Sequence, residues 1–277
     1  MADQEADLVP EARAATRDLI LVLADSKRLL GTRYADWLLG APELEAGIAC
    51  ASMAQDEWGH SRLLYALLKD FDEDVDALEH GREPADYCSI EVLDRSPAGW
   101  PELVALNALA DTALTIQLEA LRESSYAPLK QRVAKPLDEE HFHFAHAGAW
   151  VRRLARGGDH PKAAIGTALR SVLPLVLRWF GDADGDAALR AAGVVDAGPV
   201  QLQKRFLERV GSLLAEADAA RIDADAAGAA EPGPLGGGAT IDFDDFDPAR
   251  RRTVGTAPDA DTIRRVRGDR NRAFLMD

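Results

Sequence analysis

The sequence predicts an all-α protein: a bundle of about six helices, followed by a linker and a tail. Apolar residues recur at spacings of three and four along several long segments, which is the period of a helix. No segment shows a convincing strand pattern. With 47% apolar residues among 277, the chain has enough hydrophobic material for the core of one large domain or two small ones.

Proline and glycine set the ends of the predicted helices. Pro10 suits a first helical turn, and Gly40-Ala41-Pro42 ends the first helix because proline disfavours helical conformation in the residue before it. Pro136 falls inside the fourth helix and predicts a kink there. The predicted helices cover residues 10–39, 42–71, 101–125, 128–155, 161–181 and 199–221.

The predicted domains are a bundle over residues 11–221 and a C-terminal part over residues 222–277. Residues 222–238 are rich in Ala, Gly and Pro, a composition typical of a linker. The tail from Pro248 onward carries eight arginines and four aspartates. Two interpretations stay open: a flexible tail, or an arm that docks on an acidic surface of this chain or of a partner. The apolar anchors of such an arm would be Phe243, Phe246, Phe274 and Leu275.

Composition argues against several classes of partner. The net charge of −15 disfavours nucleic acid and anionic membranes. The two cysteines, Cys50 and Cys88, show no metal or redox spacing, which suits a reducing compartment. We see no signal peptide, and no apolar run approaches the roughly 18 residues of a membrane span. The expectation is a cytoplasmic protein with neither a nucleic acid nor a membrane as partner.

Two segments carry a carboxylate and an imidazole three residues apart. Residues 55–60 read Gln-Asp-Glu-Trp-Gly-His and contain Glu57 and His60, and the same arrangement recurs at Glu140 and His143. Positions i and i+3 share one face of a helix, and both pairs lie on helices with apolar stripes. Helical bundles that bind a pair of metal ions in their core use two such half-sites.

A charged residue also lies upstream of each pair, at the distance expected for the preceding helix of an antiparallel hairpin. Asp111 lies about thirty residues before Glu140, and Lys27 lies about thirty residues before Glu57. Both fall in apolar stripes. The spacing therefore predicts one shared, buried polar cluster, although a single Glu-x-x-His pair would more often be a surface accident.

Charge limits what this cluster would bind. Three carboxylates and one ammonium, from Glu57, Asp111, Glu140 and Lys27, leave two net negative charges. One divalent ion with neutral histidines balances that charge, and so does no metal with both histidines protonated. A buried ammonium is costly unless it is paired, so Lys27 could also make the cluster a structural salt-bridge network without metal.

Four segments together resemble a known family. They are residues 23–37, the Ala-Pro pair at 41–42, the Gln-Asp-Glu-x-Gly-His element at 55–60, and residues 135–150. They resemble the ferritin-like large subunits of the phenylacetyl-coenzyme A ring epoxidase, a multicomponent monooxygenase of phenylacetate degradation. The resemblance covers roughly residues 17–218 and leaves out the linker and the tail.

The resemblance implies a ferritin-like fold and, in the catalytic subunit, a di-iron centre that activates oxygen, with electrons from a flavin and iron–sulfur reductase. It also implies a related subunit without a working centre, which acts as a structural partner. Position 27 departs from the catalytic pattern, which has a carboxylate where this chain has Lys27. The metal ligands carried over by position are Glu57, His60, Asp111, Glu140 and His143.

The leading hypothesis is therefore a subunit of an epoxidase-like monooxygenase in aromatic acyl-coenzyme A catabolism, an oxidoreductase with one iron ion rather than two, or with none. The predicted catalytic residues are Lys27, Glu57 and Glu140, with Lys27 neutralising charge or donating a proton. Expected partners are a related bundle subunit in a homo- or hetero-oligomer, a reductase and an acyl-coenzyme A substrate.

Two alternatives stay open. In the first, the chain is a non-catalytic structural partner, and a salt-bridge network of Lys27 with the carboxylates replaces the metal. In the second, it is a mononuclear metal oxidase or oxygenase with an unrelated substrate.

Overall fold

The computed structural model describes residues 8–219, 241–269 and 274. Within these ranges the protein is predominantly helical, as the sequence predicts. The α-helices are α1 (Pro10–Asp36), α2 (Leu44–Leu67), α3 (Val75–His80), α4 (Trp100–Ala105), α5 (Thr112–Glu119), α6 (Ala127–Ala155), α7 (Asp159–Trp179), α8 (Ala187–Ala191), α9 (Pro199–Glu216) and α10 (Ala260–Val266).

Five of the six predicted helices correspond to single long helices, α1, α2, α6, α7 and α9. The helix predicted over residues 101–125 is instead divided into α4, a π-helical turn at Leu106–Asp111, and α5. A π-turn widens the helix locally, and its i to i+5 hydrogen bonds cannot be recognised from the period of apolar residues. Helix α6 continues through Pro136, where the kink stays a prediction.

Helix α1 is buried along most of its length and packs along α2 in the most extensive helix pair of the described chain. The two helices approach closely because residue 31 is glycine: a Cβ atom at Gly31 would stand 2.7 Å from the indole ring of Trp58. Helix α2 also contacts α6, which in turn packs on α5 and on the π-helical turn. These helices form the predicted all-α, ferritin-like bundle.

Residues 241–269 form an arm that packs against the bundle. Strands β1 (Phe246–Asp247) and β2 (Arg252–Thr253) pair antiparallel within it, and at two residues each they are too short to produce a pattern in the sequence. Arg252 is fully buried and lies 2.5 Å from Asp94, and Arg251 lies 2.7 Å from Asp186. The arm thus docks on acidic groups of its own chain, which is one of the two interpretations left open.

The predicted anchors of the arm have mixed outcomes. The ring of Phe246 packs against Phe243, with ring centroids 5.3 Å apart. Phe274 is 80% exposed and does not anchor the arm, and Leu275 lies outside the described residues. The predicted linker over 222–238 and the domain boundary after residue 221 also lie outside them, so the division into two parts stays a prediction.

Across the described ranges, no helix combines the length and apolarity that crossing a membrane requires.

Candidate metal centre

Five charged or ionisable side chains from four elements meet inside the bundle. Lys27 comes from α1, Glu57 from α2, Asp111 from the end of the π-helical turn, and Glu140 and His143 from α6. None of these residues is more than 3% exposed. The spacing argument therefore predicted correctly that two half-sites and two upstream charged residues share one buried location.

The ammonium group of Lys27 lies among three carboxylates. Its Nζ atom donates to Glu57 Oε1 at 2.9 Å, to Asp111 Oδ1 at 3.1 Å and to Glu140 Oε1 at 2.5 Å. Burial alone lowers the pKa of Lys27, but the three carboxylates outweigh it and raise this pKa well above its ordinary value. Lys27 is therefore a permanent cation in this cluster.

Asp111 receives hydrogen bonds on both of its carboxylate oxygens. Besides Lys27, it accepts at Oδ2 from the Tyr34 hydroxyl at 2.6 Å and from His143 Nδ1 at 3.0 Å. Asn107 donates to the Tyr34 hydroxyl at 2.7 Å and lies 3.4 Å from Asp111 Oδ2. Burial favours the protonated form, but the charges of Lys27 and His143 outweigh it and hold the pKa of Asp111 well below its ordinary range.

The two histidines are oriented by carboxylates on the opposite side of each ring. His60 Nε2 lies 2.7 Å from Glu139, and His143 Nε2 lies 3.4 Å from Asp56. Each carboxylate directly precedes a cluster glutamate, so α2 and α6 each orient the histidine of the other helix. The side chain of Glu139 is only 29% exposed, and it bonds to His60. Such carboxylate–histidine pairs orient metal ligands in many proteins.

Burial and neighbouring charges separate the proton affinities of the cluster residues. Burial raises the pKa of Glu57 to about 7, although Lys27 opposes this shift. Burial lowers the pKa of His143, but the charge of Asp111 and its hydrogen bond outweigh burial and raise this pKa to about 12. In the protein without metal, His143 is therefore an imidazolium, whereas burial favours the protonated form of Glu57.

Glu57, Asp111, Glu140 and His143 could hold a metal ion. Each offers one ligand atom, and these four atoms lie within 4.8 Å of one another. Carboxylate oxygens and an imidazole nitrogen suit iron and manganese. His60 lies beside this group, with Nδ1 3.4 Å from Glu140 Oε1. Neither Glu57 Oε2 nor His60 Nδ1 has a hydrogen-bond partner among the described residues, so the cluster retains buried acceptor atoms for a cation.

The sequence predicted the residues of the cluster but not the hydrogen bonds that surrounding residues make to them. The apolar stripes place Tyr34 on the face of Lys27 and Asn107 on the face of Asp111, but they predict no hydrogen bond for either residue. The signal for Asp56 and Glu139 was available, because an acidic residue precedes the glutamate of both half-sites. Thr115, which donates to Glu140 Oε2 at 3.1 Å, gave no signal beyond its helical position.

Comparison with known proteins agrees with the family resemblance. One of the subunits of 1,2-phenylacetyl-CoA epoxidase from Escherichia coli (strain K12) is 25% identical over 176 residues, which cover 63% of this chain and 71% of the relative. Another of the subunits of the same epoxidase is 26% identical over 156 residues, 55% of this chain and 49% of that relative. A family model described as phenylacetic acid catabolic protein matches residues 1–229. Since this match covers most of the sequence, the chain belongs to the phenylacetic acid catabolic protein family.

Proposed function

We propose that this chain is a subunit of an epoxidase-like multicomponent monooxygenase that acts in the catabolism of aromatic acyl-coenzyme A compounds. The observation that carries this proposal is the buried cluster, in which Glu57, Asp111, Glu140 and His143 present ligand atoms within 4.8 Å of one another. The two relatives are named as subunits of a phenylacetyl-CoA epoxidase, which supports the same class of reaction.

The cluster binds one iron ion in preference to two. The ammonium of Lys27 contacts three carboxylates and reduces their combined charge to −2. Asp56 offsets the positive charge of His143, so one divalent ion neutralises the cluster. A second divalent ion would leave excess positive charge in a buried site, where an unpaired ion costs several kcal/mol. The binding residues in this proposal are Glu57, His60, Asp111, Glu140 and His143.

An iron ion bound there would supply the activation of oxygen. The protein's own groups hold the ion, exclude water and keep protons in defined places. Lys27 keeps a proton at Nζ, 2.5 Å from Glu140 Oε1, and Tyr34 keeps one at its hydroxyl, 2.6 Å from Asp111. Both side chains are fully buried, so these protons are separated from solvent. Lys27 is then the group that neutralises negative charge during the reaction, because its raised pKa makes it a poor proton donor.

A second candidate function is that of a structural partner without catalysis. One observation favours it: Lys27 already makes three ion pairs, so the carboxylates are neutralised in part without a metal. In that case the chain supports a related subunit that carries the reaction, and a reductase would have no electrons to deliver to it.

The metal content of protein purified without chelators tests the proposal. We expect about one iron per chain after anaerobic loading with Fe²⁺, and oxygen consumption that depends on a reductase and on an aromatic acyl-coenzyme A. A value near zero after loading would support the structural alternative instead.

A matched pair of variants tests why only one ion binds. Lys27→Glu places a carboxylate at position 27 and should raise the number of divalent metal ions bound toward two per chain. Lys69→Glu makes the same change in charge at an exposed position and should leave the capacity unchanged. An unchanged capacity in both variants would contradict the role assigned to Lys27.

A further inference from the structure

The polar atoms of the buried cluster divide into a saturated side and an open side. On the saturated side, Asp111 Oδ1 accepts from Lys27, and Oδ2 accepts from the three neighbouring donors described above. His143 is bonded at both ring nitrogens, to Asp111 at 3.0 Å and to Asp56 at 3.4 Å. A cation that entered this side would have to displace these donors before it reached a lone pair.

The open side consists of two atoms on one face of α2. Glu57 Oε2 and His60 Nδ1 are buried, and neither has a hydrogen-bond partner within the ranges that the structure describes. Since His60 Nε2 lies 2.7 Å from Glu139, the hydrogen-bond network assigns a proton to Nε2 and turns Nδ1 toward the cluster. Nδ1 lies 3.4 Å from Glu140 Oε1 there. Buried polar atoms without a partner are rare and costly, so two on one helix face require an explanation.

The position of Lys27 explains why the two sides differ. Lys27 Nζ bonds to one oxygen each of Glu57, Asp111 and Glu140, and so leaves Glu57 Oε2 free. Thr115 takes the remaining oxygen of Glu140. The ammonium therefore serves as the cation of the Asp111 side, while the side of His60 keeps a carboxylate oxygen and an imidazole nitrogen, which are donors for Fe²⁺ and Mn²⁺.

We propose that the cluster is an asymmetric metal site in which Glu57 and His60 hold the single ion, while Lys27 and Thr115 occupy the oxygens of Glu140 and Lys27 fills the Asp111 side. This inference rests on the proposed metal-binding function and narrows its five binding residues to Glu57 and His60. His60 is a ligand in this arrangement, whereas His143 belongs to the hydrogen-bond network that holds Lys27 and Asp111 in place.

The carboxylates on the outer side of each ring provide a matched pair of variants. Their side chains are partly exposed, 29% for Glu139 and 34% for Asp56, so neutral amide variants leave the core intact. Loss of such an outer partner typically weakens metal binding about 10–100-fold when the histidine is a ligand. We expect this loss for Glu139→Gln and an unchanged affinity for Asp56→Asn, measured by titrating full-length, metal-free protein with Mn²⁺ and following the EPR signal of the free ion.

Direct removal of each ring gives a second readout. With Co²⁺ as probe, the ligand-field absorption reports the coordination of the bound ion, and the end point of a titration gives the number of ions bound per chain. His60→Ala should lose this band, and His143→Ala should retain it at one ion per chain. Far-UV circular dichroism shows whether His60→Ala and His143→Ala fold. If either of them does not fold, Glu139→Gln and Asp56→Asn still distinguish the two histidines.

The outcomes separate this inference from the proposed function. If Asp56→Asn and His143→Ala lose metal while Glu139→Gln and His60→Ala keep it, the asymmetry is reversed and the inference is overturned, but the metal site stands. Equal losses in both pairs also overturn it, because the ion is then shared by both sides. If the unmodified protein binds neither Mn²⁺ nor Co²⁺, the inference and the proposed metal centre fail together.

Discussion

The ammonium group of Lys27 is completely buried, and a charge in that position is costly unless other charges pair with it. Three carboxylates provide that pairing at distances of 2.5 to 3.1 Å. The same lysine neutralises carboxylates that would otherwise repel one another. The stability of the metal-free protein therefore depends on this one side chain.

We predict that Lys27→Ala destabilises the metal-free protein by about 3–5 kcal/mol, because removal of one partner of a buried ion pair leaves the other uncompensated. Urea unfolding in the presence of a chelator measures this change. Lys69→Ala, at an exposed position, is the control and should leave the midpoint unchanged. A midpoint for Lys27→Ala equal to that of the unmodified protein would contradict a buried lysine that pairs with carboxylates.

The sequence was sufficient to predict which residues form the cluster but not how they bond. The spacing of three residues within a helix and about thirty between helices brought Lys27, Glu57, Asp111 and Glu140 together correctly. The division into a saturated and an open side could not be predicted, because it depends on which oxygen of each carboxylate Lys27 contacts. Which oxygen Lys27 contacts depends on side-chain packing at a scale of about one ångström. The π-helical turn before Asp111 also departs from regular α-helical geometry, so the position of the Asp111 side chain cannot be estimated from the helical period.

At the scale of elements, the arm shows what composition alone leaves undetermined. Its arginines indicated either a solvated tail or a docked one, and both interpretations fit the same charge pattern. The structure docks the arm through specific pairs: Arg252 with Asp94, Arg251 with Asp186, and the Arg33 guanidinium with the hydroxyl of Thr262. In each pair the residue of the bundle is far in sequence from the residue of the arm, so no local sequence pattern could predict the pairing.

We predict that Arg252→Ala loosens the arm and destabilises the protein by about 3 kcal/mol, because Asp94 loses its partner in a mostly buried position. Arg264→Ala is the matched control, since Arg264 lies on the same arm and its side chain is 63% exposed. Thermal unfolding and limited proteolysis of the arm measure the two effects. Equal melting temperatures for the two variants would show that the buried pair does not hold the arm.

The raised pKa of the buried Asp94 carboxyl should appear in the pH dependence of the protein's stability. Burial raises the pKa of its carboxyl from 3.8 to about 6, although Arg252 opposes this shift. Since the pKa of Asp94 is higher in the folded state than in the unfolded state, the native state binds more protons than the unfolded state between about pH 4 and about pH 6. The contribution of Asp94 to stability is therefore complete below about pH 4 and lost as the pH rises to about 6.

We accordingly predict that the unmodified protein loses stability relative to Asp94→Asn between about pH 4 and about pH 6, by at most about 3 kcal/mol. Urea unfolding of both proteins across this range gives the difference between their free energies of unfolding. The contributions of the other carboxylates are the same in both proteins and cancel in this difference. Asp244→Asn, at an exposed position of the arm, should run parallel to the unmodified protein. A constant difference between Asp94→Asn and the unmodified protein would mean that the carboxyl titrates normally.

At the scale of the whole molecule, the buried cluster joins the long helices of the bundle. Lys27 on α1 bonds to α2, to the π-helical turn and to α6, so opening the cluster separates elements from three regions of the chain. An ion that binds only in this assembled state stabilises the entire fold through mass action. Metal binding and global unfolding are therefore linked in this protein, even though the cluster occupies a small part of the core.

We predict that Mn²⁺ raises the melting temperature of the full-length protein relative to a sample with chelator. An ion present at 100 times its dissociation constant should add about 2.7 kcal/mol to the free energy of unfolding. The increase should be larger in Lys27→Ala, because the ion then also compensates carboxylates that have lost their ammonium partner. Mg²⁺, which retains its water and prefers an all-oxygen site, is the control ion and should have a smaller effect. Identical melting curves with Mn²⁺ and with chelator in both proteins would mean that the folded cluster has no affinity for the ion, and that Lys27 is not what excludes it.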